Sequence, residues 1–173
     1  MIFFTADLHF GHAKIIKYHQ RPFADVYEMD KALIANWNSV VRNTDTIYCL
    51  GDFSFKAREN YTEHLNGQII FLKGDHDKWP KSNPDNYLMI LKGLADCPRI
   101  TLCHWCMRTW QKSHFNSWHL YGHSHGRLPA IGKSMDVGVD GNNYFPVSLD
   151  QLKKHMETRP DNPNKVKDRH AKS

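Results

Sequence analysis

The chain has no long apolar run. Nothing in it approaches the ~18 consecutive apolar residues of a membrane span, so no membrane partnership is expected. The N-terminus, MIFFTADLHF, lacks the basic start and extended apolar core of a secretory leader and meets an aspartate at position 7. A cytoplasmic location is the resulting expectation. Cysteines are few: Cys49, Cys97, Cys103 and Cys106. Without a secretory signal they do not suggest a disulfide framework. Cys103 and Cys106 form one C-x-x-C, but no second one accompanies it, which argues against structural zinc. Net charge is only +5, and much of the excess falls in the final stretch ETRPDNPNKVKDRHAKS, so it says little about partners. Internal repeats and low-complexity segments are also lacking.

What the chain does have is histidine, twelve in 173 residues. Histidine is the commonest protein metal ligand, so the placement of these residues matters. The length suits one domain with a full core, and the apolar fraction of 40% is ordinary for a globular protein.

The apolar pattern predicts alternating elements. MIFFTAD reads as a buried strand ending at Asp7, and HAKIIKYH as a short helix. Between Val26 and Val41 the residues Val26, Met29, Leu33, Ile34, Trp37, Val40 and Val41 recur at helical spacing. TIYCL is a strand stopping at Gly51-Asp52. KARENYTEHLN reads as a helix capped by Gly67, and QIIFLK as a strand ending at Gly74-Asp75. A polar loop, WPKSNPDN, follows. YLMIL, RITLCHW, WHLYGHSH and SMDVGVD then give a strand-rich second half, closed by a short helix from about Ser148. Early strand–helix alternation implies a layered α/β domain with parallel strands; the later strands imply a second sheet or antiparallel additions. The domain is expected over 1–157, with a flexible polar tail over 158–173.

Polar residues gather where the strands end. Asp7, His9, Asp52, Asp75, His76, His104, His123 and His125 all sit at or just past the end of an apolar strand. Sites in open α/β sheets collect there. Asp7 and His9 are two apart, which on extended backbone points both side chains the same way; His123 and His125 repeat the spacing. Carboxylates mixed with imidazoles suit Mn²⁺, Fe, Zn²⁺ or Co²⁺ better than Mg²⁺ or Ca²⁺. Seven candidate ligands (Asp7, His9, Asp52, Asp75, His104, His123 and His125) are too many for one tetrahedral ion and suit two ions sharing a carboxylate. Two metals about 3.5–4 Å apart are a standard device for displacement at phosphorus.

These motifs resemble a known family. DLH at 7–9, GD at 51–52, GDHD at 74–77, CH at 103–104 and GHSH at 122–125 follow in order the blocks of the calcineurin-like metallophosphoesterases. The likeness runs from residue 1 to about 145 and is closest to small bacterial and phage members. It implies a four-layer αββα sandwich, two mixed β-sheets packed face to face with helices outside. It also implies one ion on Asp7, His9, Asp52 and His125, and another on Asp52, Asp75, His104 and His123. Asp52 is then the bridge. A hydroxide held by both metals would attack phosphorus. His76 would contact the phosphate and protonate the leaving oxygen, with Asp77 orienting it through its second ring proton. Mn²⁺ is the first expectation, with Fe, Zn²⁺, Ni²⁺ and Co²⁺ as alternatives.

One position departs from the pattern: the family has asparagine where this chain has Asp75. A carboxylate binds a cation more tightly but offers no amide donor to a phosphate oxygen. Losing one such donor costs ~10²–10³ in rate in comparable sites. Natural variation, a substitution that weakens turnover, or deamidation would each leave aspartate here; the second is preferred. For substrate contacts, Arg21, Arg108, Lys112 and His12 are candidates, and Trp105, Trp110 and Trp118 are either stacking platforms or core.

The expected activity is hydrolysis of phosphodiesters by a cytoplasmic, dinuclear-metal enzyme. A phosphomonoesterase or small nuclease is the runner-up, and a noncatalytic scaffold with the same fold is the reading from another class. The expected partner is a phosphate ester, with nucleotides in range and no stable nucleic-acid complex. The oligomeric state stays open.

Overall fold

Phe3 and Phe4 stand side by side in the first strand, and strand alternation sends them to opposite faces. Both are buried, so this strand is covered by apolar neighbours on each side. A computed structural model describing residues 1–78, 86–94 and 96–164 shows what covers it. Ile2–Thr5 (β1) pairs in parallel with Thr46–Cys49 (β2), and β2 in parallel with Gln68–Phe71 (β3). Leu88–Leu91 (β4), Ile100–Cys103 (β5), Trp118–Tyr121 (β6) and Ser134–Asp136 (β7) form a second sheet in that order. In it β4 runs antiparallel to β5, and β5, β6 and β7 run parallel. Val147–Ser148 (β8) returns to the first sheet as an antiparallel edge on β1. The protein is therefore a mixed α/β fold of two mixed four-stranded sheets with helices, as the sequence predicts.

Two apolar cores hold the layers. Phe3, Ile47 and Cys49 pack with Leu8, Phe10, Ile15, Met29, Leu33 and Trp37, joining the first sheet to helices Ala13–Tyr18 (α1) and Val26–Val40 (α2). Phe4 and Leu50 pack with Ile100, Leu102, Trp118 and Leu120, joining the two sheets face to face. Leu152 and Met156 of Leu149–Glu157 (α4) seal that second core. The ends of these helices are set by side chains. The Asp25 carboxylate accepts from the Glu28 N–H at the start of α2, and Ser148 with Gln151 forms a capping box at the start of α4. Among the described residues no helix is long and apolar enough to cross a membrane.

The structure corrects two expectations about segments and decides one alternative left open. Within KARENYTEHLN only Glu59–Thr62 (α3) is helical, with Glu63 as its C-cap. Gly67, at φ +91°, instead lies against Ile47 and the Asp45 carbonyl, where a Cβ would meet atoms at 2.4 and 2.9 Å, and so acts as a corner leading into β3. Trp110 and Trp118 are core residues; the Trp110 ring lies 5.3 Å from that of buried His119. The segment read as the start of a flexible tail is pinned. Arg159 donates to the carbonyls of Gly132 and Ala130, while buried Asn162 donates its Nδ2–H to the Arg108 carbonyl at 2.9 Å. The Asn162 backbone N–H also donates to the Ser113 carbonyl. Residues 165–173 of the expected tail, and 79–85 of the expected polar loop, lie outside the described residues.

A buried side chain making such bonds contributes to stability, and leaving its partners unpaired costs roughly 1–3 kcal/mol. Asn162→Ala is expected to destabilise the protein by about that amount in urea unfolding. Unchanged stability would restore the flexible-tail reading.

Candidate metal centre

The loops after the strands continue the pairing of the strands themselves. The Asp7, His9 and Phe10 N–H groups donate to the carbonyls of Gly51, Asp52 and Phe53 at 2.9–3.1 Å. DLH and GDF are thereby laid side by side. Gly51 and Gly74 meet so closely that a Cβ on Gly51 would stand 2.6 Å from the Gly74 nitrogen, and one on Gly74 would stand 2.3 Å from Asp52 Oδ1. Only glycine fits there, which is why GD and GDHD each begin with it.

Three groups of ligand-capable atoms result, each with all its atoms within 4.8 Å of one another: Asp7–His9–His125, Asp75–His104–His123, and Asp7–Asp52–His104. All seven expected ligands are brought together. Asp52 lies between the two outer groups, with Oδ2 3.6 Å from His9 Nε2 and 3.4 Å from His104 Nε2. His123 Nδ1 is 3.0 Å from Asp75 Oδ2. The i, i+2 spacing does not work as expected, because the backbone is not extended there. Asp7, His9, Asp52, His123 and His125 all have φ between 49° and 65°, the left-handed region that costs a non-glycine residue strain. The side chains converge because the backbone curls, not because it alternates.

The electrostatics fit a cation. Asp7 is 0% exposed, and its burial, partly offset by nearby His125 and His104, raises its pKa to about 7. Burial pushes His9 down to about 2, so its imidazole is neutral and free to act as a donor ligand. His104 moves the other way. Its burial would lower it, but the Asp52 carboxylate, with Oδ2 3.4 Å from Nε2, and the charge of Asp7 win and raise it to about 9. Asp52 is likewise opposed by burial yet held at about 2, chiefly by His104. The Nε2 atoms of His9 and His104 are buried without any hydrogen-bond partner, and both face Asp52. His104 Nδ1–H donates to the Leu50 carbonyl at 2.8 Å, and His125 Nδ1–H to Asp140 Oδ2 at 2.7 Å, which leaves each Nε2 for a ligand. Buried imidazole nitrogens with nothing to bind, beside buried carboxylates, are what a two-cation site requires.

Other expected site residues have different roles. Asp77 does not orient His76. Its carboxylate accepts the N–H groups of Asp52, Phe53 and Gly74 at 2.8–2.9 Å, tying the loops after β2 and β3 together. Arg21 is not a substrate contact. It is buried, forks onto both Asp140 oxygens at 2.8 Å, and donates to the carbonyls of Asp7 and Leu8. Arg108 is exposed and donates to Asn164 Oδ1 at 3.4 Å. His12 does border the site, with Nδ1 3.4 Å from His9 Nδ1. His76 is half exposed, its N–H donating to Asp52 Oδ1 at 2.8 Å and its Nε2 4.0 Å from Asp52 Oδ2. Asp75 is also partly exposed and accepts from Trp105 Nε1 at 3.2 Å.

Several residues escaped the sequence reading. Asp140 holds both His125 and Arg21, and those bonds keep it near 2 against the effect of burial. Asp136 accepts from Ser124 Oγ and the Gly126 and Gly138 N–H groups, bracing GHSH. His19 stacks on His125 with ring centres 3.6 Å apart. The two aspartates of SMDVGVD, Asp136 and Asp140, are the signal the sequence offers for this bracing.

Removing the Asp77 acceptor leaves buried N–H groups unpaired, at roughly 1–3 kcal/mol each. Asp77→Ala is therefore expected to lower unfolding free energy substantially and to weaken metal uptake. A loss of turnover with unchanged stability would return Asp77 to the orienting role. His104, with a pKa near 9, also carries a proton at neutral pH that a cation must displace. Metal affinity is expected to rise with pH up to about 9, with proton release visible by calorimetry in buffers of different ionisation enthalpy. Uptake without proton release would contradict this assignment.

No protein-family model matches the chain. It is 40% identical to the uncharacterized protein MJ1445 of Methanocaldococcus jannaschii, in an alignment covering 90% of this chain and 91% of that protein. The gene 66 protein of Mycobacterium phage L5 is 31% identical over 109 residues, 56% of this chain and 52% of that one. Among solved structures, a protein of unknown function from Aquifex aeolicus, AQ665, superposes with a TM-score of 0.69 at 22% identity. That match covers 90% of this chain and 98% of the other, and it shows the fold alone.

Proposed function

Since the chain belongs to the family of the Methanocaldococcus jannaschii protein, whose name assigns no activity, we propose a function from the site itself: a cytoplasmic phosphoesterase that uses two divalent ions, Mn²⁺ first, to hydrolyse phosphodiesters. One observation carries the reading. Asp52 stands between two groups of ligand atoms, facing two buried imidazole nitrogens that have no partner. The motifs' resemblance to calcineurin-like metallophosphoesterases supports it.

Asp7, His9, Asp52 and His125 would hold one ion, and Asp52, Asp75, His104 and His123 the other. When bound, such a pair makes water nucleophilic at neutral pH and neutralises charge on a phosphate. The remaining work falls to side chains. His76, half exposed beside the ligands, would hold a proton at Nε2 and pass it to the departing oxygen. Asp77 keeps the loop bearing His76 in place, and Asp140 and Arg21 keep His125 and the DLH loop aligned.

Diesters are favoured over monoesters because a dianionic monoester calls for additional cations. Arg21, the arginine nearest the ligand loops, is committed to Asp140. Asp75 adds a carboxylate where the substrate would sit, which weighs most against the more highly charged ester.

The test is an assay of bis-p-nitrophenyl phosphate and p-nitrophenyl phosphate with Mn²⁺, alongside elemental analysis. About two ions per chain and faster diester cleavage are expected. Asp75→Asn should raise the diester rate by ~10² or more, by restoring an amide donor. Metal-free protein after Mn²⁺ loading would sink the reading, faster monoester cleavage would reverse the substrate order, and equal rates for Asp75→Asn would remove the inhibitory role of the carboxylate.

A further inference from the structure

Each inner imidazole of the site has its second ring nitrogen held. His104 Nδ1–H meets the Leu50 carbonyl at 2.8 Å, and His125 Nδ1–H meets Asp140 Oδ2 at 2.7 Å. For His9 the partner is another imidazole: its Nδ1 lies 3.4 Å from Nδ1 of His12. His9 is buried, and among the described residues this is the one hydrogen bond its ring makes. The sequence builds the contact locally. In HFGH the His12 N–H donates to the His9 carbonyl at 3.0 Å, closing a turn. Gly11 takes φ +73° inside that turn, where a Cβ would stand 2.5 Å from the Tyr61 hydroxyl, and both Asp30 oxygens accept its N–H at 3.1 Å. His12 is the N-cap of α1, but its side chain makes no capping bond. Its ring instead stacks on Phe55, with centres 4.5 Å apart and planes at 16°, which keeps it beside His9.

We propose that His12 is the positioning residue of His9: its Nδ1 accepts the His9 Nδ1–H and so keeps the His9 Nε2 lone pair turned to the ligand group. His12 takes this role only if the two-ion reading holds, and it adds to that reading the outer partner of its first ion. A neutral imidazole carries one proton. With that proton on Nε2, His9 faces Asp52 Oδ2, 3.6 Å away, as a donor and cannot ligate. An acceptor at Nδ1 favours the ligating tautomer and fixes the plane of the ring. A carbonyl and a carboxylate do this for His104 and His125, and neither can donate in return. His12 accepts only with its own proton on Nε2, so the two rings are set as a pair. His9 belongs to the Asp7–His9–His125 group and not to the Asp75–His104–His123 group, so the effect falls on one ion.

Titration of the metal-free protein with Mn²⁺ reads the effect without any substrate. His12→Phe keeps a ring against Phe55 but offers no acceptor. His12→Gln offers a side-chain carbonyl and, unlike asparagine, has no preference for the N-cap position. Losing such an outer partner costs about 10–100-fold in metal affinity. His12→Phe is therefore expected to weaken one Mn²⁺ binding event by about that factor and to leave the other in place, and His12→Gln to recover most of the loss. Proton NMR of the protein loaded with diamagnetic Zn²⁺ gives a second readout. A downfield, slowly exchanging His9 Nδ1–H is expected in the unsubstituted protein and in His12→Gln, and its loss by exchange in His12→Phe. Equal weakening of both binding events, equal loss in the two variants, or an unaltered Nδ1–H in His12→Phe overturns the proposal. Unchanged Mn²⁺ affinity in His12→Phe overturns the positioning role alone and leaves the two-ion reading standing. No Mn²⁺ uptake by the unsubstituted protein overturns the two-ion reading and the positioning role with it.

Discussion

Asp52 and the two imidazoles that face it are the constraint around which the rest is arranged. The carboxylate is 3% exposed, and His9 and His104 are buried beside it with their Nε2 atoms unbonded. Such a group is expensive to bury unless opposite charge comes with it. In the protein alone, a proton on His104 provides that charge, which is why Asp52 pulls its pKa to about 9. The proton stands in for a cation. Positive charge in the middle of the pocket balances its carboxylates, and the strand-end loops bring together the side chains that could hold a cation there.

That shape is held by carboxylates that lie outside the ligand groups. Five ligand residues sit in left-handed backbone, a conformation that persists only when the surroundings over-determine it. Three carboxylates supply the determination: Asp77 on the amides of the loops after β2 and β3, Asp136 on GHSH, and Asp140 through the side chains of Arg21 and His125, Arg21 in turn donating to DLH carbonyls. The two halves of the site differ in consequence. Asp7, His9 and Asp52 are buried and braced, whereas Asp75 and His123 have side chains 42% and 52% exposed. The first half is preformed; the second has room to adjust.

This division also explains what could be read from the sequence. Strand ends are visible as apolar runs that stop at glycine, so the ligands Asp7, Asp52, Asp75 and His104 could be placed without coordinates, as could the two sheets. The bracing could not. Asp77 in GDHD signals a charge near the site, but not whether it faces a histidine or three amides. Arg21 and Asp140 are 119 residues apart, and no local spacing links them. The α3 segment misled because helical periodicity there reflects contacts of Tyr61 and Leu65 with the core, which a turn-rich segment serves equally well. The pinned segment after α4 misled because Asn162 is polar, and polarity read as exposure; its amide is buried against carbonyls instead.

The charge count suggests a second consequence of the aspartate at position 75 under the proposed function. Under the two-ion reading, Asp7, Asp52 and Asp75 set three negative charges against four positive ones. An asparagine at position 75 would leave a surplus of two, suited to a dianionic monoester. Asp75 leaves a surplus of one, suited to a singly charged diester. Arg21 does not restore the difference, because Asp140 neutralises it. Asp75 also receives the Trp105 indole N–H, so the same carboxylate that lowers the charge of the site fixes the ring that borders it. Substrate charge and substrate shape are then selected through one side chain, with rate given up in exchange for discrimination.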